Sequence, residues 1–382
     1  MTDILTRKIV TDKMYDVFAY TINGMSSFTQ ILNDVIKKYS ANKTLFIRIP
    51  IQHIKDNIID LRKIKDLVIE FKTNDPLTEE IIDLLHNNAI RVCMDNPEIN
   101  KYTKALLFKA DFIKIELDKI GLKRLNEVMD YLKIIPGKKI LYDVDTLEKN
   151  SASFDAGVDL IQGYWMIKKY KSNKTVDINP SYLAILNVMR LIQEGADIKH
   201  IENALKLDIG LSVKLLRYIN SVGFGLSYEI TSYHHAVMML GYEKMYKWVS
   251  LLLVSSNKLN KRNSIMKLAV IRGRIAELIS CATGKSDTDS AKIFMAAEFS
   301  LIPQILDISL EQLLVEIHAP KEIKDALLMD CGDYYPYLEL AKALEESKLE
   351  TITTLAKQVG ISIEKLNEIH VEAINWVESI RL

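Results

Sequence analysis

The sequence predicts a mixed α/β unit followed by an all-helical one. Residues 15–161 alternate short β-rich runs with amphipathic helical stretches, whereas almost everything after Ser181 has helical spacing. Between them, Lys168–Pro180 (KKYKSNKTVDINP) is polar and aperiodic and reads as a linker or surface loop. A length of 382 residues favours two domains, and an apolar fraction of 48% gives each one enough material for a core.

In chain order the strand candidates are Tyr15–Ile22, Thr44–Ile49, Leu67–Phe71, Ile90–Met94, Phe112–Leu117, Lys139–Val144 and Val158–Ile161. Several are continuous β-branched runs, the pattern of parallel strands covered on both faces. Helices are expected over Ser27–Lys38, Leu77–Asn87 and Leu122–Leu132. The second has Pro76 near its start and Glu79 and Glu80 in its first turn, where carboxylates meet the positive end of the helix dipole. Repeated β-α units give either a barrel or a doubly wound open sheet, and the bare pattern does not choose. The second unit offers helices over Ser181–Gln193, Ile198–Leu205, Leu211–Ile219, Lys244–Val254, Ser264–Ile279 and Ile363–Ile380.

Composition excludes several function classes. Lys plus Arg and Asp plus Glu balance at 50 each, so charge alone builds no basic nucleic-acid platform. Cys93, Cys281 and Cys331 are far apart, with no metal spacing and an odd count that speaks against a disulfide framework. The first sixteen residues lack the apolar core of a signal peptide, and apolar runs in the second half fall far short of the ~20 residues that span a bilayer. A cytoplasmic protein without membrane contact is expected.

The strand ends of the first unit, taken together, resemble an EAL domain. The matching segments are Val17–Ile22 (VFAYTI), Leu45–Pro50 (LFIRIP), Leu67–Phe71 (LVIEF), Ile90–Asn96 (IRVCMDN), Asp111–Leu117 (DFIKIEL), Ile140–Thr146 (ILYDVDT) and Gly157–Trp165 (GVDLIQGYW). They lie at the C-terminal ends of the expected strands, where barrel enzymes carry their sites. The second unit resembles the HDOD domain, chiefly over Leu211–Gly241 (LSVKLLRYINSVGFGLSYEITSYHHAVMMLG), with looser matches at Phe294–Leu306 and Trp376. The resemblance implies a TIM-type, EAL-like α/β barrel over residues 1–172 and an all-α HDOD-like domain over residues 173–382. Active EAL domains hydrolyse cyclic di-GMP with two divalent metals, and HDOD domains lack the metal-binding His and Asp of their HD-type relatives.

Metal-assisted phosphodiester cleavage needs several hard oxygen ligands and a positioned base or activated water. Carried over residue by residue, the Glu of the family's E-x-L triplet falls at Thr21, and its Asn ligand falls at Arg48, which has no lone pair for a cation. Glu70, Lys114 and Gln162 are retained. The aspartate pair becomes Asp95 and Asn96, and the late pair of glutamates becomes Tyr142 and Asp145. The expectation is therefore a vestigial site with no catalytic residue, metal or cofactor, in which Glu70, Asp95 and Lys114 persist as structural ion-pair members. The protein is then a non-enzymatic signalling adaptor whose partners are other signalling proteins. A cyclic di-GMP receptor or weak phosphodiesterase is the alternative; motility or biofilm output is implied by the family alone.

Other signals are weighed against packing. His234 and His235 are adjacent and cannot face one another on a helix, and no H-D doublet occurs. Gly223–Gly225 permits a turn rather than cradling phosphate. Thr353–Ile369 (TTLAKQVGISIEKLNEI) has a helix-turn-helix outline and is the basis of a further alternative, a DNA-binding regulator. Glu364 and Glu368 offset Lys365 there, which favours packing of Leu355, Val359, Ile361, Leu366 and Trp376. Tyr228, Tyr233, Tyr242, Tyr246, Trp248, Tyr334, Tyr335 and Tyr337 stand as possible anchors for a protein partner.

Overall fold

Eight short strands of the first unit close into a barrel in the order β1 to β8. The structure is a computed structural model and describes residues 4–23, 39, 42–98, 100, 103–163, 165, 180–206, 220, 233–255, 263–306 and 308–379. Two compact units emerge, Met1–Lys168 with Leu344–Ser347, and Lys169–Ala343 with Lys348–Leu382.

The strands are β1 (Thr6–Thr11), β2 (Val17–Asn23), β3 (Thr44–Ile47), β4 (Leu67–Lys72), β5 (Arg91–Asp95), β6 (Phe112–Glu116), β7 (Lys138–Tyr142) and β8 (Leu160–Gln162). Pairing is parallel from β2 round to β8, and β1 closes the ring antiparallel to both β2 and β8. Seven of these match the runs read from the sequence; β1 is additional. Its sequence, TRKIVT, is β-branched at four of six positions, with Val10 fully buried. Closure into a barrel settles the choice that periodicity leaves open.

Because side chains alternate across a strand, one residue from each strand shares the barrel interior. Val10, Ala19, Phe46, Val68, Cys93, Phe112, Ile140 and Leu160 form that inner cluster. Outside the sheet, Ile113, Leu117, Leu125, Met129, Leu132 and Leu141 pack the Leu122–Leu132 helix onto the strands. The Glu79–Asn87 helix begins two residues later than expected, at the cap Thr78, whose side chain accepts from the Ile81 N–H at 3.4 Å. Pro76 lies outside it. Thr146 caps Leu147–Asp155 in the same way, through the Lys149 N–H at 3.1 Å.

In the second unit every described element is helical. The longest, Tyr233–Ser255, is interrupted at Gly241, whose φ of 76° glycine tolerates without strain. Asn263–Ala282 lies against both Asp287–Phe299 and Ile363–Ser379. Gly273 permits the first approach: a Cβ there would sit 3.0 Å from the backbone oxygen and ring of Phe294. No helix among the described residues is long and apolar enough to cross a membrane.

Several sequence expectations fall outside the described residues: the helices Ser27–Lys38 and Leu211–Ile219, the Gly223–Gly225 turn, Tyr228, and Lys168–Pro180 up to residue 179. His234 and His235 lie in the first turn of Tyr233–Ser255. Four proposed aromatic anchors are core residues instead: Tyr246, Trp248, Tyr334 and Tyr337 are buried. Tyr242 is exposed, and its hydroxyl donates to the Ala196 carbonyl. The helix-turn-helix outline is present as Leu349–Val359, a left-handed Gly360 and Ile363–Ser379. Its second helix buries Leu366, Ile369, Val371, Ile374 and Val377, while Lys365 is paired with Glu368.

Candidate functional site

The vestigial positions come together because of strand parity. Two residues beyond the inner apolar layer, toward the C-terminal ends of the parallel strands, stand Thr21, Arg48, Glu70, Asp95, Lys114, Tyr142 and Gln162. Period-two alternation points them the same way as the layer beneath. On antiparallel β1 the equivalent step runs backward and reaches Lys8, which pairs with Thr21 across the β1–β2 ladder. Sequence reasoning missed Lys8, since it depends on a strand that was not foreseen.

The centre of the mouth is a buried ion pair. Lys114 Nζ on β6 lies 2.7 Å from Glu70 Oε1 on β4, with both side chains 7% exposed. Burial pulls the Lys114 ammonium down, but Glu70, Cys93 and Asp95 together outweigh it and leave Lys114 above its ordinary value. Asp95, on the strand between them, is held above the usual carboxylate range by burial despite Lys114 nearby. Its Oδ1 is buried without a hydrogen-bond partner. Thr21 Oγ1 and Gln162 Nε2 are likewise buried and unpartnered.

At the rim the charges pair outward. Arg48 makes a forked contact with Asp75, 3.0 and 3.2 Å to the two carboxylate oxygens. Lys8 approaches Asp143 at 3.9 Å. Asn96 follows β5 with a φ of 47°, a left-handed conformation that asparagine adopts more readily than most residues. Its Oδ1 accepts from the Glu116 N–H at 2.8 Å, and its amide donates to the Glu116 carboxylate and the Tyr142 hydroxyl. Tyr142 in turn donates to Glu116 Oε2 at 3.0 Å, and burial pushes its phenol upward. Lys119, then Tyr142 and Asn96, hold Glu116 below the usual carboxylate range. Glu116 was absent from the sequence candidates, although its place at the end of the DFIKIE strand marks it as a mouth residue. Asp145 is half-exposed, in the loop before the Leu147–Asp155 helix.

Among the described residues, no group of three or more His, Cys, Asp or Glu side chains is arranged to hold a metal ion. Of the strand-end positions that line the mouth, Glu70, paired with Lys114, and Asp95 bring carboxylates, and Thr21 brings a neutral, unpartnered hydroxyl.

Comparison with known proteins places these units. Residues 179–297 match the HDOD domain. Over 362 residues the chain is 25% identical to the uncharacterized protein YuxH of Bacillus subtilis, covering 91% of this chain and 87% of that protein. It is 24% identical over 343 residues to the cyclic di-GMP phosphodiesterase CdgJ of Vibrio cholerae, covering 89% and 77%. Among solved structures, the EAL domain of Mycobacterium smegmatis DcpA aligns with 43% of this chain and 91% of its own, at 15% identity and a TM-score of 0.37. That likeness is remote, and it is the strand order of this chain that establishes the barrel. The chain thus joins a closed eight-stranded barrel, the architecture its EAL-like strand ends called for, to an HDOD domain at residues 179–297.

Proposed function

We propose that this chain is a non-enzymatic, cytoplasmic signalling adaptor of the cyclic di-GMP family, acting by binding other proteins. The family context is supported by the HDOD match, the EAL-like strand ends and the name of the Vibrio cholerae relative. The loss of catalysis rests chiefly on one observation, the replaced positions at the barrel mouth: Thr21 is a neutral hydroxyl, Arg48 is a guanidinium paired with Asp75, and Asn96 and Tyr142 are bonded to Glu116.

Two hard divalent cations need six or so oxygen ligands each, several of them anionic. At this mouth position 48 brings a guanidinium paired with Asp75, position 21 a neutral hydroxyl, position 142 a phenol, and the Asn96 amide is engaged with Glu116 and Tyr142. Asp95 alone contributes a buried carboxylate oxygen free of protein partners at the mouth. This donor set does not fit a metal pair, so no hydrolytic step is assigned to it.

A receptor for cyclic di-GMP is the second reading. It is favoured by the cations Arg48, Lys8 and Lys114 around one mouth, which could meet phosphates. Incubating purified protein with cyclic di-GMP and magnesium or manganese separates the readings. The expected outcome is no linear product and no metal dependence. Turnover that follows the protein through purification and vanishes in Glu70→Ala overturns the non-enzymatic reading. Binding without turnover by equilibrium dialysis favours the receptor.

A further inference from the structure

Within the helical unit one buried carboxyl stands apart from the barrel mouth. Glu298, in the Asp287–Phe299 helix, is 0% exposed. Its Oε2 lies 2.6 Å from Ser250 Oγ on the Tyr233–Ser255 helix, and its Oε1 has no hydrogen-bond partner. Ser250 Oγ is also 2.7 Å from the backbone carbonyl oxygen of Lys247 on its own helix.

The hydrogens must be counted. A serine hydroxyl has one hydrogen to donate, and a backbone carbonyl only accepts. Both contacts are hydrogen bonds together only when Ser250 donates to the Lys247 carbonyl and accepts from Glu298. That arrangement requires a carboxylic acid at position 298. The unpartnered Oε1 fits the same state, because an orphaned oxygen costs far less on a neutral acid than on a buried anion.

The neighbouring ammonium is already engaged. Lys247 pairs with Glu277 on the Asn263–Ala282 helix and lies 4.3 Å from the ring centre of Phe294, with Trp248 and Trp376 at 5.6 Å. Burial pulls Lys247 below its ordinary value, against the opposing pull of Glu277. Burial raises Glu277, but Lys247 and Arg274 outweigh that and hold it below the usual range. Arg274 donates to the second Glu277 oxygen at 2.8 Å, and Arg272 donates to Ser300 at 2.6 Å. On the Lys321–Leu328 helix, which also packs here, Lys321 and Glu322 are exposed and Lys324 and Asp325 half-exposed. Ile302–Leu306 carries no titratable group, and Asp287, Asp289 and Lys292 lie toward the N-terminal end of Glu298's own helix. Burial pushes the Glu298 carboxyl up to about 8, against the opposing pull of Ser250 and Lys247.

We propose that Glu298 is a proton-held switch in the helical core: as an acid it donates to Ser250 and leaves Lys247 to Glu277, and on ionising it becomes a second carboxylate competing for that ammonium. The step breaks the carboxyl O–H bond; the proton passes to solvent base and the electron pair stays on Oε2. Ionisation then loosens the contact among the three helices that carry Ser250, Glu277 and Glu298.

The test is infrared titration of the full chain, wild type against Glu298→Gln and Ser250→Ala. The wild type should show a protonated-carboxyl carbonyl band at pH 6 that disappears as pH rises through about 8 and is missing from Glu298→Gln. Absence of that difference band at pH 6 overturns the proposal. Ser250→Ala decides independently, even if Glu298→Gln fails to fold. Loss of the hydroxyl that accepts from the acid moves the frequency of the protonated-carboxyl band at pH 6 while the band itself persists. A band present at pH 6 with an unmoved frequency means that the acid does not donate to Ser250, and the switch is wrong.

Discussion

At the scale of single residues, the barrel mouth is governed by what buried charges require. Lys114 and Glu70 are each nearly inaccessible, so removing one leaves the other uncompensated in a medium that solvates it poorly. Lys114→Met is expected to cost about 3–5 kcal/mol in urea unfolding, and the double change Glu70→Gln with Lys114→Met should recover much of it. A single change costing under about 1 kcal/mol means that the pair is not confined as described. In the helical unit, Glu298 ties stability to pH. An unfolded glutamate titrates near 4.3, whereas the folded one is pushed up to about 8. Its contribution is fully present below about pH 4.3 and is lost as pH rises through about 8, because the folded chain holds a proton that the unfolded chain has released. Wild type minus Glu298→Gln should therefore fall by about 1.4 kcal/mol per pH unit across that window. A difference that is flat with pH, measured by urea unfolding from pH 5 to 8, contradicts the assignment.

At the scale of elements, the contact between the Asn263–Ala282 and Asp287–Phe299 helices depends on a missing side chain. Gly273 meets Phe294, itself 0% exposed and unable to yield easily. Ala at this position gains about 1 kcal/mol in helix propensity but overpacks the contact by about 1–3 kcal/mol. A net loss is expected for Gly273→Ala, read from the urea midpoint; a gain in stability means that the two helices separate without penalty. The helix-turn-helix outline makes the complementary point. Local sequence does specify two helices around Gly360, yet the second helix packs on Asn263–Ala282 with its apolar face, which leaves Glu364, Lys365 and Glu372 outward. A mixed-charge face of this kind is poorly suited to a phosphate backbone.

At the scale of the whole molecule, each unit has its own core, one inside and around the barrel and one among the helices. A fragment over residues 181–382 is expected to fold alone, because all of it except Leu344–Ser347 belongs to one compact helical unit. Circular dichroism checks this: a random-coil spectrum from the fragment, with a folded full chain, shows that the helical unit depends on the barrel. The polar run at Lys168–Pro180 is where limited proteolysis should cut first.

How much of this was legible in the sequence depends on the range of the interaction. Short β-rich runs, several of them continuously β-branched, marked β2 to β8, and helical spacing marked the second unit, because both signals are local. The mouth residues could be named one by one from their places at strand ends. β1 was hidden: six residues with no Gly or Pro beside them give little evidence of a strand until β2 and β8 pair with them from both sides. Barrel closure, and the arrival of Lys8 in the mouth, follow from that pairing alone. Glu298 did leave a trace, as a lone acid inside the apolar run Ile293–Phe299. Its partner Ser250 lies 48 residues away in the chain, and no spacing rule joins them. The sequence by itself determined the elements and the chemistry of each position. The tertiary structure decided which charges meet, since burial and pairing are properties of neighbours that only folding supplies.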